Sequence, residues 1–119
     1  MRFLMMIKHA ETPQPVKPPK PLMDAMGVFV NEGFTKGWLK DTAGLKRTNE
    51  ATRIRSKGGK LKVTDGPFAE AKEVVGGFAI VETNTREEAM AIAHQFMELH
   101  RVHWPEFECE SDVRPIAEF

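Results

Sequence analysis

The chain has 119 residues, which is enough for one domain with a hydrophobic core and too short for two. Its 17 basic and 17 acidic side chains cancel, so the overall charge favours neither nucleic acid nor an anionic membrane as a partner. The apolar runs are too short to cross a bilayer, and we expect no membrane association. A single cysteine, Cys109, excludes an internal disulfide and is typical of a reducing compartment, which predicts a cytoplasmic protein.

The first third of the chain predicts a strand, a surface loop, a helix and a second strand. Residues 2–8 are apolar in both parities, which is typical of a strand covered on both faces, and the run is too short for a signal peptide. Five prolines between positions 12 and 21 predict an extended surface loop. A helical stripe then predicts a helix at about 21–35 that ends near Gly33 or Gly37. Trp38 begins the return strand, which Gly44 interrupts.

Two regular patterns follow in the middle of the chain. Residues 52–64 alternate around Gly58-Gly59 and predict a hairpin with one basic face toward water and one apolar face toward the core. Residues 74–83 predict a strand that is apolar on both faces. The pair Gly76-Gly77 inside this strand indicates a bulge or a close backbone approach.

The last third predicts a helix and an edge strand. Thr85 and Glu88 form a capping box, and the apolar spacing after them predicts a helix at about 86–100. Residues 106–116 alternate between an acidic and a mixed face, which favours an edge strand. Cys109 takes the inward parity of this strand and is interpreted as an inert core thiol.

This element order predicts one α+β domain over 1–119, with a ferredoxin-like split βαβ arrangement and an inserted hairpin. Two helices cover only one face of such a sheet, yet its first strand and the strand at 74–83 are apolar on both faces. We therefore expect a homodimer in which a second copy packs on the sheet face, forming a dimeric α+β barrel. The alternative cover is a flap made by the proline-rich loop at 12–21.

Three stretches of sequence resemble a known family. They are Asp65-Gly66-Pro67-Phe68-Ala69-Glu70-x-Lys72-Glu73, Gly76-Gly77-Phe78 and the terminal Val113-Arg114-Pro115. Together they resemble the DGPF-type branch of the YCII-related proteins, and the resemblance covers nearly the whole chain.

The resemblance implies a ferredoxin-like subunit that dimerises into an α+β barrel, in a branch without an established biochemical function. Some relatives are encoded with or fused to sigma-factor-like proteins, and others have been proposed as enzymes. The His–Asp pair of other YCII proteins has no residue-by-residue match in this chain. We therefore expect a dimeric protein that is a small-molecule enzyme or binder with a cleft near the DGPF loop. The alternative is a non-catalytic regulatory or interaction module associated with transcription.

Asp65 is the carboxylate with the most chemical interest. It ends its strand on the side of Leu61 and Val63, so we expect it to point inward, where it could act as a general acid or base. The alternative is an Asx turn in which Asp65 accepts backbone N–H bonds and holds the loop. The neighbouring charges at 70–73 could bind a polar substrate or form a solvated surface.

Histidines supply the second set of candidates. His100 and His103 are spaced i, i+3 on one helix, which would suit a metal if a third ligand joined them, but a partly buried histidine at position 100 is the simpler interpretation. We expect neither a metal nor a cofactor. The basic residues at 46–62 lack interleaved aromatic residues, so we expect no nucleic acid. The catalytic candidates are Asp65, His100 and His103, and the ligand-binding candidates are His9, Gly66, Pro67, Phe68, Glu70, Lys72 and Trp104.

Overall fold

Six strands and two helices make up the chain, which a computed structural model describes over residues 1–118. A short 3₁₀ turn at Thr48–Glu50 precedes the third strand. The elements are β1 (Arg2–His9), α1 (Lys20–Lys36), β2 (Leu39–Gly44), β3 (Thr52–Lys57), β4 (Lys60–Asp65), β5 (Val74–Glu82), α2 (Arg86–His103) and β6 (Glu110–Pro115).

Four of the strands form one antiparallel sheet in the order β2-β5-β1-β6, and β3 pairs only with β4. The first and third of these sheet strands in chain order lie at the centre, and each is followed by a helix. This is the strand order of a ferredoxin-like split βαβ unit, with the β3–β4 hairpin inserted between its halves. The predicted α+β class and element order are confirmed.

Local sequence signals explain where the helices begin and end. Thr85 caps α2, since its hydroxyl accepts a hydrogen bond from the Glu88 amide at 3.2 Å. Gly37 ends α1 with φ 86°, a left-handed conformation that favours glycine. Gly33 brings α1 against the Trp38 ring, because a Cβ at Gly33 would lie 2.7 Å from the ring. The contact at Gly33 packs the end of α1 against the residues that lead into β2.

The predicted irregularity at the glycine pair in β5 is a bulge. Ile7 of β1 pairs with Gly77 and Lys8 pairs with Val75, so Gly76 is the extra residue. A Cβ at Gly76 would lie 2.5 Å from Nε2 of His9, so the His9 ring occupies the space that a larger residue would need.

The two faces of the sheet differ in their cover. Phe3, Met5 and Val81 lie on the helix side and are buried. On the other side, the alternate residues form what we call the open face, whose apolar centre is only half-buried. By strand register this centre consists of Leu4, Met6, Phe78 and Ile80.

Three expectations need correction. The apolar side of the hairpin does not face the core: Ile54, Leu61 and Val63 are 65%, 73% and 63% exposed, because the hairpin extends away from the four-stranded sheet. The last strand begins at Glu110 instead of 106, since Phe107 donates its amide to the Trp104 carbonyl in a turn. Helix α2 continues to His103. Within residues 1–118, no helix is both long and apolar enough to cross a membrane.

Candidate functional site

A cavity of about 190 Å³ lies between the helix side of the sheet and helices α1 and α2. The bulge at Gly76-Gly77 and the end of β2 form one part of its wall, and α1 and α2 contribute aromatic side chains. Its aromatic and polar side chains are those of Phe29, Trp38, Thr42, Phe96, His100 and Ser111, while Phe78 borders the cavity with its backbone. None of the lining side chains is acidic, lysine or arginine.

His100 gives this cavity a directional polar group. It lies on the buried side of α2, 6% exposed, with its ring beside Phe96 at a centroid distance of 4.6 Å. Its Nδ1 lies 3.0 Å from the Phe96 carbonyl oxygen. Because a carbonyl only accepts, Nδ1 carries a proton, and in the neutral form of the ring Nε2 then has a lone pair to offer. Within residues 1–118, Nε2 has no hydrogen-bond partner, and it is not completely buried.

Thr42 is the second polar side chain with a fixed role in the cavity. Its hydroxyl donates to the Phe78 carbonyl across the β2–β5 pair at 2.9 Å. Since that proton is engaged, the Thr42 oxygen is left with lone pairs only, and it can accept but not donate. Both His100 and Thr42 therefore present hydrogen-bond acceptors.

Two other candidates, His9 and Trp104, belong to an aromatic cluster outside the cavity lining. The Trp104 and Phe107 rings stack with centroids 4.1 Å apart, and His9 packs on Phe107 at 5.3 Å. His103 ends α2 beside them and is half-buried, but it does not line the cavity either. Among residues 1–118, no group of three His, Cys, Asp or Glu side chains is placed to hold a metal ion. The spacing of His100 and His103 therefore meets no third ligand in this part of the chain.

The DGPF loop forms a separate structure around Thr48. Gly66 donates its amide to the Ala51 carbonyl at 2.8 Å, and a Cβ at Gly66 would lie 1.6 Å from the Thr48 carbonyl oxygen. The following Gly66–Pro67 peptide is cis. The Phe68 amide donates to the Thr48 hydroxyl at 3.2 Å. Only glycine fits at position 66, so the motif specifies how this loop packs on the 3₁₀ turn.

The side chains of the loop bind one another and solvent. The Arg53 guanidinium lies over the Phe68 ring at 3.9 Å and forms an ion pair with Glu70 at 2.6 Å, which holds the pKa of Glu70 below its usual value. Lys72 is exposed. Asp65 is also exposed and accepts a hydrogen bond from the Thr52 hydroxyl at 3.1 Å. The expected inward orientation of Asp65 is wrong, because the hairpin face that carries it has no core behind it in this chain.

Glu11 was not identified as a candidate, yet it joins the proline-rich segment to the loop. One of its oxygens accepts from the Thr48 amide at 2.9 Å, and the other accepts from the Thr48 hydroxyl. These bonds favour the ionised carboxylate and lower the pKa of Glu11. The pairing joins residues 37 positions apart, so no local pattern in the sequence could have shown it.

The candidates therefore divide into three groups. His100 lines the cavity, His9 and Trp104 belong to the aromatic cluster, and the loop residues surround Thr48 and Arg53. Asp65 therefore lies in a different group from the histidines. Thr42 was not predicted as a site residue, because it belongs to no local motif. The sequence showed only that it lies in the return strand, two residues before Gly44.

Comparison with known proteins identifies a family. The sequence model of the YCII-related domain matches residues 1–98. An uncharacterised protein of Rhizobium meliloti (strain 1021) is 39% identical over 57 residues, which are 48% of this chain and 46% of that protein. The match thus spans about half the length of this relative. Since the family match covers most of the chain, the protein belongs to the YCII-related domain family.

Proposed function

We propose that this YCII-related chain acts as a homodimer and binds a small, mainly apolar molecule in the cavity between its sheet and its helices. The observation that carries the proposal is the cavity itself, with the free Nε2 of His100 as its polar anchor. Pockets for small molecules are typically apolar with a few placed polar groups, and this lining has that composition.

The size of the chain supports a dimer. A compact chain of this length has a radius of gyration of about 13.5 Å, whereas this one has 16.1 Å. A monomer of 13.4 kDa is expected to expose about 6,500 Å², and this chain exposes 8668 Å². The excess of about 2,000 Å² is in the range that one partner of an obligate homodimer buries.

The distribution of the exposed apolar surface supports a second copy as the cover. The open face has the apolar centre defined above, and the apolar side of the hairpin extends beyond the sheet. At the β1–β6 edge of the open face, Lys8 pairs with Asp112 at 2.8 Å, which neutralises the charges beside the apolar centre. A two-fold axis would place one open face on the other, so that the same patch covers itself.

A charge placed at the centre of the open face tests the dimer. We expect Met6→Asp to give a sedimentation mass of one chain, while the wild type gives twice 13.4 kDa at micromolar concentration. The matched control is Val28→Asp, which puts the same charge on the outside of α1, where Val28 is 69% exposed. A wild type that sediments as a single chain would contradict the dimer.

Methionine methyl groups test the cavity directly. Met5 and Met26 line it, whereas Met23 and Met90 are exposed elsewhere. In NMR spectra of protein with labelled methionine methyl groups, we expect small fused-ring probes, indole and N-methylindole, to shift the signals of Met5 and Met26. The signals of Met23 and Met90 should not move. The ligand proposal fails if both pairs stay in place, or if the exposed pair alone shifts.

A second candidate function is a non-catalytic interaction module associated with transcription, and the basic face of the hairpin favours it. Arg55 lies directly opposite Lys62, and Lys57 lies opposite Lys60, so like charges face each other across the strands. Such pairs are destabilising, and all four side chains are exposed. An acidic partner would relieve the repulsion.

Replacing Arg55 and Lys57 by glutamate discriminates this second candidate. The variant should unfold at a higher temperature, because each pair becomes attractive, and it should lose retention on immobilised polyglutamate. Glu106→Lys is the control for a charge change outside the hairpin. Wild-type protein that passes through polyglutamate without retention would argue against an acidic partner.

A further inference from the structure

We propose that the cavity selects an uncharged planar molecule of one or two rings that donates a hydrogen bond through an aromatic N–H or O–H group. The inference rests on the proposed function, because it specifies the ligand of the same cavity. It is carried by three properties of the lining: its lack of charge, the direction of its hydrogen bonds and its size.

The first property excludes ions. No lining side chain is aspartate, glutamate, lysine or arginine. With the His100 ring in its neutral form, a carboxylate, phosphate or ammonium group would have to leave water without an opposite charge to pair with, which is strongly unfavourable. The ligand that fits is therefore neutral.

The second property is the hydrogen-bond polarity of the two fixed groups. Nδ1 of His100 uses its proton on the Phe96 carbonyl, and Thr42 uses its hydroxyl proton on the Phe78 carbonyl. What remains for a ligand is the Nε2 lone pair and the Thr42 oxygen, which are both acceptors. The Ser111 hydroxyl can act in either direction and so does not discriminate. A ligand that can only accept would leave Nε2 unpaired, whereas a donor satisfies it.

The third property is size and shape. An apolar cavity of about 150 Å³ is large enough for benzene, and this one has about 190 Å³. The bare backbone of Gly76 and Gly77 lies at the sheet side, and Phe29, Trp38 and Phe96 come from α1, the start of β2 and α2. A flat ring can stack on these aromatic side chains, which favours a planar ligand over a branched one.

Three probes of nearly the same shape test this class against the wild-type protein. Indole is neutral and donates through its N–H, N-methylindole lacks the donor, and indole carboxylate is charged. Binding is followed through the Met5 and Met26 methyl signals, with Met23 and Met90 as internal controls. We expect indole to bind about tenfold more tightly than N-methylindole, which is the effect of one hydrogen bond. Indole carboxylate should not bind measurably.

Variants at His100 identify the acceptor. His100→Asn places an amide nitrogen at the position of Nδ1, so it can still donate to the Phe96 carbonyl but has nothing at the position of Nε2. We expect it to bind indole and N-methylindole equally. His100→Gln extends an amide to the position of Nε2 and should restore a preference for indole. If the asparagine variant fails to fold, the comparison of indole with N-methylindole on the wild-type protein alone tests the ligand class.

The outcomes separate the two proposals. Equal binding of indole and N-methylindole by the wild type, or measurable binding of indole carboxylate, would overturn the ligand class and leave the cavity as a binding site. Absence of any shift at Met5 and Met26 with all three probes would overturn the proposed function, and the ligand class with it. A preference for indole that persists in His100→Asn would overturn the role of Nε2.

Discussion

The two faces of the four-stranded sheet have similar apolar strands but different cover. On the helix side, Phe3 and Val81 are 0% and 1% exposed, and the two helices complete the core. On the open face, Leu4 and Met6 alternate with buried residues of the same strand and yet stay half-buried. One chain can cover only one of the two apolar faces of its sheet, because both helices pack on the same side. The chain thus folds around one face, and the proposed dimer would cover the other.

The cavity and the DGPF loop also differ in the interactions that build them. The cavity depends on apolar packing and two oriented polar side chains, whereas the loop depends on a network around Thr48 and on the contact of Arg53 with Phe68. The most distinctive motif in the sequence is therefore a structural device at the base of the hairpin. Its residues do not line the cavity.

Phe3→Ala should have the largest effect on stability, and it tests the difference between the two sheet faces. Phe3 is fully buried on the helix side, so its loss should lower the free energy of unfolding by about 3–5 kcal/mol. Met6→Ala on the open face should cost about 1 kcal/mol, because Met6 is half-buried, and should weaken the dimer. Urea denaturation measures the first effect and sedimentation the second. If Phe3→Ala and Met6→Ala lost the same free energy of unfolding in urea, at concentrations where the chain is monomeric, the two faces would not differ in burial.

Gly66→Ala should have the next largest effect. The new Cβ would lie 1.6 Å from the Thr48 carbonyl oxygen, so the loop must move, at a cost of about 2–3 kcal/mol. Gly27→Ala is the control, because no atom lies within 4 Å of its Cβ and alanine favours the helix by about 1 kcal/mol. Thermal unfolding of both variants should shift in opposite directions. A Gly66→Ala protein as stable as the wild type would contradict the packing of the loop.

Glu11→Gln should have the smallest effect, and one that depends on pH. The Thr48 hydrogen bonds lower the pKa of Glu11 in the folded state, so the ionised form stabilises the fold. This contribution is complete above the ordinary glutamate pKa and is lost as the pH falls through the lowered folded-state pKa. Since the carboxylate is close to solvent, we expect a loss of about 1 kcal/mol at neutral pH.

The pH series gives the decisive measurement for Glu11. Between about pH 6 and about pH 3 the unfolding free energy of Glu11→Gln should change less than that of the wild type. Glu106→Gln, at an exposed position in the turn after α2, should keep the wild-type pH dependence. Identical pH curves for Glu11→Gln and the wild type would remove the Thr48 contact as a determinant of stability.

The sequence by itself determined the elements and their order. Capping at Thr85, the turn at Gly58-Gly59, the bulge at Gly76-Gly77 and the two-sided apolar strands are local signals, because each depends on neighbours along the chain. The burial of His100 also followed from its place on the apolar stripe of α2. These signals were sufficient to predict the ferredoxin-like order, whereas the resemblance to the family came from the motif at 65–73 and the two stretches that accompany it.

The position of each polar candidate depends on the tertiary structure, and the sequence did not predict it. Parity placed Asp65 beside Leu61 and Val63, but parity cannot show whether a hairpin face meets a core, and here the hairpin extends away from the sheet. The Glu11–Thr48 contact and the meeting of His100 with Thr42 at one cavity join residues far apart in the chain. Such contacts depend on how helices and strands from distant parts of the chain pack together. A local sequence pattern carries no information about that packing.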